Sequence, residues 1–256
     1  MAADVRPLLD DLRAEQADLR RVVEAADLGT PTPAEGWDVR DAISHLAGTD
    51  VEARLAAEEP NAFVAKLSTI ATDIDGFLTG QLVERRGLTQ GELLASWQVG
   101  FDRLLGALER LEPGTKVPWY GPPMSPASFA TARLMEYWAH GQDVVDAVGA
   151  AREPTARLRH ICHLGVRTRG FSYVNRGLPV PAGDVRVELT APDGSMWTYG
   201  DGSDTVTGSA LDFCLLVTQR RHRADTSLVA RGALADEWLD IAQCFAGPPG
   251  AGRAQA

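Results

Sequence analysis

Glu136 and His140 stand four residues apart in Glu136-Tyr137-Trp138-Ala139-His140-Gly141-Gln142-Asp143. On a helix, that spacing projects a carboxylate and an imidazole from one face, about one turn apart, so both can reach one ion. A third donor, His45, lies in Gly36-Trp37-Asp38-Val39-Arg40-Asp41-Ala42-Ile43-Ser44-His45-Leu46. Added from a second helix, it would complete a His/Glu/His metal set. Each piece also has an ordinary reading. A histidine at the border of an apolar face is commonly a packed residue with one satisfied hydrogen bond, and a Glu/His couple at i, i+4 is commonly a solvent-facing pair.

Two helices must carry these groups. Asp38 reads as an N-cap with Asp41 in the favourable first turn, and Val39, Ala42, Ile43 and Leu46 form an apolar stripe with His45 at its edge. The second carrier is a helix over 127–148. At about 100° per residue, with Glu136 at zero, His140 falls near 40° and Asp143 near 340°. Leu134, Trp138, Gly141, Val145 and Val148 cluster between roughly 120° and 200°. The polar pair is thus displaced from the main apolar stripe, toward a second helix contact or a cleft.

The rest of the chain supplies partners for these helices. An amphipathic helix spans 4–27, with Val5, Leu8, Leu9, Leu12, Leu19, Val22 and Val23 at helical spacing, and ends in Gly29-Thr30-Pro31-Thr32-Pro33. Residues 60–86 carry a helical period through Phe63, Leu67, Ile70, Ile74, Phe77, Leu78, Leu82 and Val83, as one extra helix or two short ones. A clearer helix covers 89–111, opened by the capping box of Thr89 and Glu92 and closed by Glu112-Pro113-Gly114. The loop over 116–126 is rich in Pro, Gly and aromatic residues. Trp119, Tyr120 and Met124 would form either a wall over a pocket or a hydrophobic plug.

Beyond residue 150 the pattern changes. One helix is predicted over 155–175. Val185-Arg186-Val187-Glu188-Leu189-Thr190 alternates as a strand, Met196-Trp197-Thr198-Tyr199 returns across a Pro-Asp-Gly turn, and 205–207 is a third strand. Helices over 209–218 and 234–245 follow, and 248–256 reads as a flexible tail. The expected division is 1–150 helical, 151–247 a small α+β unit, and 248–256 tail.

Composition narrows the function. The 256 residues are 45% hydrophobic and 23% charged, enough for a sizeable core. A net charge of −10 argues against nucleic acid, whose binding draws on clustered Lys and Arg, and leaves small molecules as partners. Three cysteines, Cys162, Cys214 and Cys244, show no Cys-x-x-Cys spacing and read as buried thiols in a reducing compartment. No run is long enough to span a bilayer, and the N-terminus is acidic and amphipathic instead of basic then apolar. The expectation is a cytoplasmic protein.

Trp37, Asp41 and His45-Leu46 at the start of one helix, with Glu136-x-x-x-His140 on a later one, resemble the DinB/YfiT-like metal-binding four-helix bundles. More narrowly, the chain is similar to the mycothiol-dependent maleylpyruvate isomerase family, and the resemblance covers nearly its whole length. It implies an α+β fold, with an up-down four-helix bundle followed by a small α/β domain like sterol carrier proteins. It also implies that His45, Glu136 and His140 ligate one divalent ion, usually zinc, although nickel or ferrous iron suits the same donors.

In the family, an arginine of the second domain helps bind an acidic substrate or the thiol. Arg220 is the candidate here, with Arg221 and Arg223 as solvated rim charges. Relatives tend to have Gly-Arg at this point, where this chain has Gln219-Arg220. The implied chemistry begins with a low-molecular-weight thiol that ionises at the metal and adds to an electrophilic carbon. Rotation and expulsion of the thiol then give cis/trans isomerisation, and retention gives S-transfer. Asp143 and Tyr137 are the candidates for moving protons nearby, against the alternative of supporting or surface roles. Two other readings stay open. One is a thiol-independent metal-dependent isomerase, lyase or hydrolase; the other is a metal- or ligand-binding regulatory protein. Monomer and homodimer are equally compatible with the sequence.

Overall fold

Carboxylates and hydroxyls placed just before apolar runs decide where the long helices begin. Asp38 accepts from the Asp41 amide at 2.8 Å while the Asp41 carboxylate accepts from the Asp38 amide, and Thr89 and Glu92 form the same reciprocal box. The Ser125 side chain accepts from the Ser128 amide and is followed by Pro126 at the first helical position. These caps satisfy amides that a helix start leaves without partners.

The computed structural model describes residues 4–70, 72–112, 114–250 and 252–255, and within them all side chains but those of Ile74, Asp75 and Leu78. Expectations placed on Ile74, Leu78 and Pro113, and on Ala251 and Ala256 of the tail, lie outside what is described. The chain divides into two compact units, Met1–Ala151 and Arg152–Ala256.

The N-terminal unit is helical: α1 (Arg6–Glu24), α2 (Val39–Glu58), α3 (Pro60–Ile70), α4 (Ile74–Arg85), α5 (Gln90–Glu109) and α6 (Pro126–Val148). α1 packs on α5 and α6, and α2 packs on α5 and α6, with α3 and α4 laid against α2. Leu12, Val23, Ile43, Leu46, Leu93, Trp97, Phe101, Leu104 and Leu134 are buried between them. The stretch 60–86 forms two helices, the second capped by the Asp73 side chain on the Gly76 amide. In the loop before α6, Val117 and Met124 form an antiparallel bridge, and Trp119 stacks on Phe63 and meets Phe129 edge-on. Phe63 and Phe129 are fully buried, so Trp119 extends the core as a plug.

The C-terminal unit holds α7 (Leu158–Arg167), α8 (Arg169–Val174), β1 (Val185–Thr190), β2 (Met196–Tyr199), β3 (Asp204–Ser209), α9 (Ala210–Val217), β4 (Val229–Arg231) and α10 (Ala233–Ile241). The sheet order is β2-β1-β3-β4, with β1 and β3 parallel and the two edge pairs antiparallel. Val185, Val187 and Leu189 point into the core from alternate positions of β1. α9 packs on β1, β3 and α7, and α10 packs on β3, β4 and α8. At the α7–α9 crossing, a Cβ on Gly165 would stand 2.9 Å from Phe213, so only glycine admits this approach. Cys162 and Cys214 meet there with sulfurs 3.5 Å apart, and all three cysteines are buried free thiols.

Two predicted elements are corrected and one strand is added. The helix expected over 155–175 is broken at Thr168, whose hydroxyl turns back to the Leu164 carbonyl at 2.9 Å and whose backbone (φ −94°, ψ 9°) leaves the helical region. The last helix stops at Ile241 because Ala242 is extended, and the Cys244 amide bonds to the Val217 carbonyl instead. β4 was not anticipated: three residues at a sheet edge show no readable alternation.

Candidate metal centre

The site is built where α2 and α6 pack together. Before α2, Pro31 and Asp38 form a bridge and the Thr32 amide bonds to the Trp37 carbonyl, which fixes Trp37 beside the helix start. Trp37 stacks on the His140 ring at 5.6 Å and 13°, and lies 5.3 Å from the His45 ring. The tryptophan thus covers one side of both histidines.

His45 Nε2 stands 3.4 Å from Glu136 Oε2, and His140 Nε2 stands 3.5 Å from the same oxygen. One ligand atom from each of the three residues lies within 4.8 Å of the others. These spacings are long for hydrogen bonds. The two nitrogen–oxygen spacings match donors held about 2.0–2.2 Å from a tetrahedral ion, which stand roughly 3.3–3.6 Å apart. On its outer side, His140 Nδ1 faces Asp143 Oδ2 at 3.5 Å. A carboxylate there favours the tautomer that turns the Nε2 lone pair toward the cluster. Asp143 is fully buried, whereas the three inner side chains keep 15%, 23% and 14% exposure. The donor set therefore fits a divalent ion with positions left for water or a ligand.

The electrostatics agree with that fit. Burial pushes the His45 imidazole down to about 4, against a smaller upward pull from Glu136, so it is neutral at neutral pH, the form that ligates metal. Burial raises the Glu136 carboxyl, but its contacts with His140 and His45 outweigh this and hold it well below the usual carboxylate range. Arg133 adds a positive charge felt by both Glu136 and His45.

Tyr137 belongs to a different network. Its hydroxyl donates to Asp50 and accepts from Trp97 Nε1 at 2.7 Å, while Arg133 Nη2 donates to Asp50 at 2.9 Å. Burial and the Asp50 charge push the Tyr137 phenol well above its ordinary value. Asp50 and Arg133 were missed from the sequence, although a signal was present. Asp50 falls at helical spacing with the buried Ile43, Leu46 and Ala53, and Arg133 with Phe129 and Ala130. A charge on an apolar stripe calls for a partner.

Arg220 lies in the C-terminal unit just past α9. Gln219, at φ 58°, is the one non-glycine residue in the left-handed region among those described. The Gln219 amide bonds to the Leu216 carbonyl and the Arg220 amide to that of Leu215, a Schellman ending that glycine favours. Arg220 Nη1 donates to the Thr218 carbonyl at 2.7 Å. Arg223 is not a solvated rim charge: Asp236 and Asp240 both pair with it.

Comparison with known proteins places the chain in a family. Two proteins of Mycobacterium tuberculosis described as uncharacterized, from strains CDC 1551 / Oshkosh and ATCC 25618 / H37Rv, are each 46% identical over 256 residues, covering 98% of this chain and 100% of theirs. A crystal structure of the mycothiol-dependent maleylpyruvate isomerase aligns with TM-score 0.60 and 15% identity, covering 89% of this chain and 93% of that one. A mutant of that enzyme aligns equally well at 14% identity. At such identities the likeness is one of fold. Residues 9–145, more than half of the chain, match the family profile described as the mycothiol maleylpyruvate isomerase N-terminal domain, and the chain belongs to that family.

Proposed function

We propose that the protein is a metal-dependent isomerase or S-transferase that uses a low-molecular-weight thiol of the mycothiol type on a small acidic electrophile. The observation that carries this reading is the convergence of His45 Nε2, Glu136 Oε2 and His140 Nε2 in a chain of this family. His45, Glu136 and His140 hold one divalent ion, zinc in the first instance, with nickel or ferrous iron suited to the same donors. When bound, the ion supplies Lewis acidity that favours the ionised form of a thiol at neutral pH.

The chain's own groups prepare the site. Burial keeps His45 neutral, Asp143 orients His140, and Trp37 shields both rings from water. Of the two proton carriers considered, Asp143 is the better placed, since the Tyr137 hydroxyl is engaged by Asp50 and Trp97. Arg220 is assigned to the carboxylate of the substrate or to the thiol. In isomerisation, the S–C bond formed on addition to a carbon–carbon double bond is the bond broken on expulsion. The thiol is thereby regenerated and only the geometry changes.

In the same reading, α1, α2, α5 and α6 form a DinB-like up-down four-helix bundle over 1–150, supported by their mutual packing. The mixed sheet with α9 and α10 is a sterol-carrier-like domain over 151–247, followed by a tail over 248–256. The protein acts in the cytoplasm on small molecules, as a monomer or homodimer; no helix among the described residues is long and apolar enough to cross a membrane.

The test is to supply a cis-unsaturated oxo-diacid with and without mycothiol, before and after chelation. Isomerisation that needs both thiol and metal, and returns on adding zinc, is the expected result. Metal-dependent turnover without thiol would replace this reading with the lyase or hydrolase one. Stoichiometric metal with no turnover of any electrophile would replace it with a metal- or ligand-binding regulatory protein.

A further inference from the structure

Charge is divided unevenly along the chain. From residue 152 onward there are twelve arginines and no lysine against eleven carboxylates, so the C-terminal unit is +1 and the N-terminal unit −11. Within the C-terminal unit, several of these arginines converge on one cavity of about 460 Å³, lined by Arg176, Arg221, His222, Arg223 and Arg253. Leu216, Leu228 and Leu239 supply an apolar side. That volume is in the range of small-molecule sites.

The cations of this cavity are unequally compensated. Arg223 is matched by Asp236 and Asp240. Arg176 is not matched in this way: its Nη1 is buried with no hydrogen-bond partner. Burial alone lowers its pKa, with no acid contributing. An N–H group taken out of water with no acceptor is costly. His222 Nδ1 accepts from the Ala224 amide at 3.1 Å, so the neutral ring carries its proton on Nε2 and can donate. The left-handed Gln219 also lines the cavity and sets the chain direction into Arg221.

We propose that this cavity binds a small molecule bearing an oxyanion, phosphate or carboxylate, held by Arg176 and Arg221, with its apolar part against Leu216, Leu228 and Leu239. Planar guanidinium groups match both oxyanions through paired N–H donors. The cavity is built from residues of the C-terminal unit alone, and its proposal does not depend on the activity proposed for the His45–Glu136–His140 cluster.

The test is calorimetric titration of the chelator-treated 256-residue chain with inorganic phosphate and, separately, with succinate, at constant ionic strength. Saturable binding of at least one anion is expected, weakened about tenfold or more by Arg176→Gln and by Arg221→Gln. The exposed Arg231→Gln, which removes the same charge outside the cavity, should leave affinity within about twofold. Phosphate alone binding assigns a phosphate ligand, succinate alone a carboxylate, and both the shared oxyanion. No saturation with either anion would overturn the proposal. So would equal weakening by Arg231→Gln and the cavity variants. If Arg176→Gln fails to fold by circular dichroism, Arg221→Gln carries the same comparison.

Discussion

Two polar clusters bridge α2 and α6, the first reaching Trp97 on α5 as well, and they are built to opposite ends. Asp50, Arg133, Tyr137 and Trp97 are almost wholly buried, and their contacts lie within ordinary hydrogen-bond range: Arg133 to Asp50 at 2.9 Å and Trp97 to Tyr137 at 2.7 Å. His45, Glu136 and His140 keep some exposure, and their facing atoms stop at 3.4 and 3.5 Å. The first cluster pairs its own opposite charges and ties the helices together. The second turns two imidazole nitrogens toward one carboxylate oxygen at spacings that fit an added cation. Identity of side chain does not separate them, since both contain a carboxylate and a group able to carry positive charge. Spacing and water access do.

The comparison breaks most sharply on stability. Arg133→Met leaves Asp50 as a buried charge without its cationic partner, and urea unfolding of the metal-free protein should show a loss of about 3–5 kcal/mol. His45→Ala should cost about 1 kcal/mol or less in the same experiment, because no complete hydrogen-bond network is lost. Equal losses would mean that the two clusters are both structural.

A smaller effect follows from pH. The folded value for His45, about 4, lies below the ordinary 6.5. As pH falls through 6.5, the unfolded chain therefore takes up a proton first. The stability associated with neutral His45 is fully present above about pH 6.5 and is lost progressively down to about pH 4. Between pH 6.5 and 5, metal-free wild type should lose about 2 kcal/mol more unfolding free energy than His45→Ala. Parallel curves would show that His45 is not desolvated as the structure has it. Smaller again, Asp143→Asn should weaken metal affinity about 10–100-fold without removing a ligand, measured by competition with a chelating dye. Unchanged affinity would remove Asp143 from any supporting role.

Much of the site's scaffold is legible in the chain. The capping boxes at Asp38/Asp41 and Thr89/Glu92 are local, reciprocal contacts within one turn, so their residue types suffice to place the starts of α2 and α5. The i, i+4 spacing of Glu136 and His140 likewise needs only helical geometry. The joining of His45 to them does not: it depends on how α2 and α6 pack, and residue patterns put each histidine only at the edge of an apolar face. Family resemblance bridged that gap. The break at Thr168 was hidden because its cause, a hydroxyl turning back on Leu164, competes with a helical period that runs on through it. The three-residue β4 was hidden because its partner, β3, is more than twenty residues earlier. Arg133 and Asp50 were readable as charges on apolar stripes, yet their mutual pairing is again a matter of packing.

The central claim, that His45, Glu136 and His140 form one metal site, is tested most directly by bound metal. Wild type, His45→Ala and His140→Ala would be purified without a polyhistidine tag, loaded with zinc, and analysed by mass spectrometry of the metal. The account predicts about one ion per chain in wild type and a loss of most of it in both variants. Equal metal in all three proteins, or none in any of them, would contradict it.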